Sequence, residues 1–121
     1  ARTRYRRAIA LAERELAMTP DRADLTAQLG YYYGRVGDLS RASEYLGRAL
    51  ALDPENINAQ YLSALNAADR GDTAAALRSL EAAVRLGYPV QLIRSAPEFA
   101  SLSANAQFRS ITQPEVPAAS R

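Results

Sequence analysis

The sequence predicts an all-α fold, an α-α superhelix in which antiparallel helical hairpins stack and short helices close the C-terminal end. Three observations lead there. Punctuating residues return every 34 positions: Gly37-Asp38 as Gly71-Asp72, and Thr19-Pro20-Asp21 as Asp53-Pro54-Glu55. Between these marks the apolar residues fall at helical spacing, Leu25, Leu29, Tyr33 and Val36 in one stripe and Ala42, Leu46, Ala49 and Leu50 in the next. Alanine supplies 25 of the 121 residues; it is the best helix former and fills little volume, so it favours helices packed close along one another.

The elements follow in order. A first helix covers 4–18, with Tyr5, Ala8, Ile9, Leu11 and Leu16. Asp21 after Pro20 caps a second over 21–36. Gly37 supplies the left-handed residue that ends it, and Asp38 caps a third over 39–52. Asp53, with Pro54 at the first helical position, opens a fourth over 55–70. Gly71 and Asp72 repeat the junction before a fifth over 73–87, with Ala76, Leu80, Ala83 and Val84 on its stripe. Connections of two or three residues make neighbours antiparallel, and a hairpin this thin hides its apolar stripe only by stacking on another.

After Pro89 the period stops. A short helix runs through Val90, Leu92 and Ile93, Ser95-Ala96-Pro97-Glu98 reads as a capping box, and Asn105-Ala106-Gln107-Phe108 opens a last turn ending near Ile111. Phe99, Leu102, Phe108 and Ile111 are the expected covering residues of this cap. One domain over 1–112 is expected, with a disordered tail from 113 to 121 that carries two prolines and no periodicity.

The unit 23–56 resembles a tetratricopeptide repeat. It has Leu29-Gly30, Tyr33, Ala42, Leu46 and Pro54 at the family's spacing, with Thr26 where that family places Trp. The unit 57–90 is degenerate: Ser63-Ala64 and Ala67 replace the first markers, while Gly71-Asp72, Ala76, Leu80 and Ala83 hold. Residues 4–20 match only the second helix of a partial repeat, and 91–112 resembles the closing segment of bacterial arrays. The resemblance implies a right-handed superhelix whose first helices line a concave groove. It places Asp24, Ala27, Gln28, Tyr31 and Arg35 of one repeat, and Asn58, Tyr61, Leu62, Leu65 and Asp69 of the next, in that groove, with Gly34 beside them. Tyr and Arg dominate many binding surfaces, so the implied role is a protein-interaction module holding a partner peptide, a helix or a neighbouring domain. A structural spacer or dimerisation element, associating through the edge of helix 4–18, is the alternative.

Other functions find little support in the residues. With no Cys and no His, the chain lacks a thiolate nucleophile and the commonest general base and metal ligand. Neither Asp69 with Asp72 nor Glu13 with Glu15 is joined to a nucleophile or an oxyanion donor. No enzyme, cofactor, metal or small-molecule substrate is expected. A net charge of +2 does not call for nucleic acid. The cluster Arg2, Arg4, Arg6 and Arg7 offers phosphate contacts without an aromatic platform beyond Tyr5, which leaves RNA or DNA a remote alternative. All 15 cations are Arg, so the lysines with which some tetratricopeptide domains clamp a terminal carboxylate are lacking. Arg70-Gly71-Asp72 is explained by its helix junction and needs no adhesive role. No apolar run reaches the roughly 18 residues of a membrane span. The unpartnered edge of helix 4–18 suggests the C-terminal part of a larger protein, and the resemblance implies a bacterial regulator or assembly factor. The cytoplasm is the expected compartment, and the periplasm is compatible.

Overall fold

In the computed structural model, which describes residues 2–113, the protein is all-α, with no strand among those residues. Five long helices come first: α1 (Arg2–Met18), α2 (Ala23–Arg35), α3 (Leu39–Leu52), α4 (Ile57–Asp69) and α5 (Thr73–Arg85). Then come α6 (Val90–Ser95), a 3-10 helix (Pro97–Leu102) and α7 (Ala106–Thr112). Helices α2 and α3 pack along each other, as do α4 and α5. Helix α1 lies on α2, while α4 touches both α2 and α3. Residues 114–121, nearly all of the expected tail, lie outside the described residues.

The helix ends repeat as the sequence does. Gly37, Gly71 and Gly87 take φ of +91°, +77° and +108°. In each case the next residue's N–H donates five positions back: Asp38 to the Tyr33 carbonyl, Asp72 to Ala67 and Tyr88 to Ala83, each at 2.9 Å. Each glycine N–H donates as well, to Gly34, Ala68 and Val84 respectively, and the two bonds together satisfy carbonyls that the helix end would leave bare. Asp38 and Asp72 then accept from the backbone N–H of Arg41 and Ala75 and start α3 and α5. Gly87 extends the pattern to a third site and ends α5 at Arg85, two residues short of the expected boundary.

Two helix starts are corrected. Asp21 does not cap α2, and Asp53 does not cap α4. Around Pro54 the chain makes a turn instead: Asp53 ends α3, its carboxylate accepts from the Glu55 N–H at 3.1 Å, and its carbonyl accepts from Asn56. Asn56 is the cap, accepting from Ala59 at 2.9 Å. Proline at the second position of a turn is as well suited as proline at the first of a helix, and the Asp-Pro pair alone does not distinguish the two. Before α2, Pro20 and Asp21 likewise occupy a turn, and the Arg22 carbonyl receives both the N–H and the hydroxyl of Thr26. The expected capping box at Ser95 is also absent: the Ser95 hydroxyl donates back to Leu92, and Ala96 precedes the 3-10 helix with no side-chain cap.

The core is distributed along the chain in three clusters. Ile9, Ala12, Leu29, Tyr33 and Ala42 join α1, α2 and α3. Ala27, Leu46, Ala49 and Ala59 join α2, α3 and α4. The third joins α4 and α5 to the C-terminal helices through Ala76, Leu80, Ile93, Phe99, Leu102 and Phe108. Ile9 therefore faces inward and is not part of an open edge; on α1 it is Leu11 and Met18 that stand out, at 54% and 84% exposure.

At Gly30 the backbones of α2 and α3 meet so closely that an added Cβ would lie 2.9 Å from Leu46 Cγ and 3.1 Å from the Ala42 carbonyl oxygen. At Gly47, on the outer face of α3, it would meet nothing within 4 Å. Gly30→Ala is expected to lower unfolding stability by about 1–3 kcal/mol through overpacking. Gly47→Ala is expected to raise it by up to about 1 kcal/mol through helix propensity. Urea titration of both variants followed by circular dichroism checks the opposite signs.

Candidate functional site

Helices α2 and α4 are in direct contact, and α3 packs on both. Tyr31 and Leu65, and Arg35 and Asp69, lie 34 positions apart in the sequence. These four, with Leu62 and Gly34, surround a crevice between the C-terminal halves of the two helices, and Glu98 of the 3-10 helix reaches its mouth. The free space inside is about 20 Å³, room for roughly one water. Asn66 forms part of the floor. It is 7% exposed, its amide nitrogen donates to the Ser43 hydroxyl at 2.8 Å, and its Oδ1 has no hydrogen-bond partner.

Of the ten residues expected in the groove, five line this crevice: Tyr31, Arg35, Leu62, Leu65 and Asp69. Tyr61 is half-buried beside them, but its ring is committed to the C-terminal cap. It stacks on Tyr88 with centroids 4.2 Å apart and meets Phe99 edge-on at 6.0 Å. Asp24, Gln28 and Asn58 are exposed toward the N-terminal ends of α2 and α4, away from the crevice. Ala27 is a correction. Its side chain is fully buried against Leu46, Ala49 and Ala59 and presents no surface. It occupies the position equivalent to Tyr61, and a methyl group there is covered by α4 where a phenol ring protrudes.

Aromatic rings continue the face toward α1. Tyr5 meets Tyr31 edge-on at 6.5 Å, and the guanidinium groups of Arg4 and Arg35 lie 5.6 and 6.0 Å from the centre of its ring. Burial raises the pKa of the Tyr31 phenol, as it does for Tyr61. Asp69 is also raised above its usual range, first by burial and then by the Glu98 carboxylate, with Arg35 pulling the other way. Asp24, by contrast, is lowered by the hydrogen bond it accepts from Arg22.

Asn66 and Glu98 escaped the sequence reading. Asn66 is an amide inside the apolar run of α4, and that misplacement was the available signal. Glu98 reads in the sequence as a capping residue; the 3-10 turn sends Phe99 into the core and leaves Glu98 exposed at the crevice.

A roomier cavity, about 590 Å³, lies elsewhere, between α1 and α3 across the start of α2, where Leu16, Ala17, Leu29, Tyr45, Arg48 and Leu52 form its walls. Thr26 is at its floor. Among the described residues no group of three acidic, His or Cys side chains is placed to hold a metal, and no helix is long and apolar enough to cross a membrane.

A carboxyl group raised in the folded state is destabilising once ionised, so folding gains from protonation. Asp69→Asn is expected to increase the urea midpoint at pH 7, and the gain to fade as pH falls through the raised folded-state pKa and to be gone below 3.8, where the unfolded aspartate is protonated too. Paired denaturation curves from pH 7 to pH 3 check this. Set against known proteins, the chain matches no family model and no curated protein.

Proposed function

We propose that the protein is an interaction module of tetratricopeptide type, a superhelical stack of helical hairpins that receives a partner peptide or helix on the face formed by α2 and α4. The observation that carries this reading is the convergence of Tyr31, Arg35, Leu62, Leu65 and Asp69, from two helices, around a single crevice. The arrangement of the helices supports it as well. Helix α2 touches α4, and α3 packs against both. Tyr5 and Tyr31 offer area with a polar end, Arg35 offers a fork of donors, and Leu62 and Leu65 supply an apolar floor. The module does no chemistry of its own and needs no cofactor. It serves a larger bacterial regulator or assembly factor, in the cytoplasm by preference.

Selection of displayed random peptides against the whole chain tests the reading. Peptides are expected to be enriched whose binding falls at least about tenfold, roughly 1.4 kcal/mol, in the double variant Tyr31→Ala, Arg35→Glu, with the thermal midpoint unchanged within a few degrees. Enriched peptides indifferent to this variant but lost on Leu52→Asp would move the site to the α1–α3 cavity and overturn the proposal.

The exposure of Leu11 and Met18 on the outer side of α1 favours a second reading, a dimerisation element joined along that edge. On it, Leu11→Glu with Met18→Glu converts a dimer to a monomer in sedimentation equilibrium, whereas the Tyr31 and Arg35 changes leave the mass untouched. A monomeric parent chain at about 100 μM removes this reading.

A further inference from the structure

We propose that the crevice between α2 and α4 is a subsite for a primary ammonium group, the head of a lysine side chain carried by the partner segment. The inference rests on the interaction module just described and names the chemistry one part of its surface selects. Three observations carry it. The Asn66 Oδ1 is an acceptor without a donor, on a side chain more than nine-tenths buried. It looks into the crevice: a Cβ placed on Gly34, at the opposite wall, would lie 3.7 Å from it. An acceptor stripped of water and left unpaired costs stability, and a donor entering the crevice restores what is missing.

Charge is the second observation. Asp69 and Glu98 both border the opening, and Arg35 alone opposes them. Among the described residues neither carboxylate joins an ion pair, and the Arg35 guanidinium lies 6.0 Å from the centre of the Tyr5 ring. The opening therefore carries a net negative charge. The third observation is size. Free space of about 20 Å³ takes a group as small as water. A compact ammonium with three donors fits such a space, whereas a planar guanidinium does not. Leu62 and Leu65 beside the opening suit the aliphatic stem that leads to it. This chain contains no lysine that could occupy the site itself.

The test uses the full chain and n-butylammonium chloride as the probe, with n-butylguanidinium and sodium chloride at equal ionic strength as comparisons. Chemical shifts of the Asn66 side-chain amide and the Gly34 N–H are followed by NMR. Saturable movement with butylammonium is expected, and about tenfold weaker or no response to the other two salts. Asp69→Asn and Glu98→Gln should each weaken binding several-fold. Gly34→Ala should abolish it while preserving the fold, because the new methyl group takes up the space at ordinary contact distances. No saturable shift, an equal response to butylguanidinium, or binding that survives Gly34→Ala would overturn the subsite. Peptides from the display experiment separate the two proposals. If replacing their lysine by norleucine costs nothing while Tyr31 and Arg35 still matter, the subsite fails and the interaction face stands. If butylammonium binds as described but no peptide is enriched, the interaction face fails and the amine site stands.

Discussion

The contact between α2 and α3 at Gly30 sets the scale for the whole stack. There the main chain of one helix rests on Leu46 and on the Ala42 carbonyl with no Cβ between, and the neighbouring seams are lined with alanines at zero exposure: Ala27, Ala42, Ala49, Ala59, Ala64, Ala76 and Ala83. Small side chains let helix axes approach to the lower end of the usual 8–10 Å range. Each seam then gains little from the apolar area of any single residue and depends on continuous contact along its length. A slightly larger group in such a seam costs more than its hydrophobicity returns. Large anchors are fewer: Leu29 is enclosed in α2, and Leu80, Ile93 and Phe99 toward the C-terminal end.

Between α2 and α4, residues one unit apart in the sequence border the same crevice, so that Arg35 and Asp69, or Tyr31 and Leu65, act as parts of one surface. On the side of α1, Thr26 borders the cavity between α1 and α3, and its hydroxyl turns back to the Arg22 carbonyl.

The helices were readable because their signals are local and repeated. A left-handed glycine followed by an aspartate cap leaves little choice of conformation, and both copies appear as expected. Boundaries at proline were less readable, since a turn and a helix start make the same demand on φ; Asn56 won over Asp53 through hydrogen bonds that the sequence does not display. For the site, periodicity placed the residues on the correct helices but not their surroundings. Ala27 and Tyr61 hold the same position in successive units, yet α4 covers one and the cap engages the ring of the other. Asn66 and Glu98 enter through contacts between segments 23 and 29 residues away from their neighbours Ser43 and Asp69, beyond the reach of any local pattern.

The two termini of the stack are chemically unlike. At one, Phe99, Leu102 and Phe108 seal the final hairpin beneath a lid of short helices. At the other, Leu11 and Met18 face outward with nothing from the described chain upon them. An incoming helix would therefore meet exposed apolar side chains on α1, whereas beyond α5 it would first have to prise off the seal.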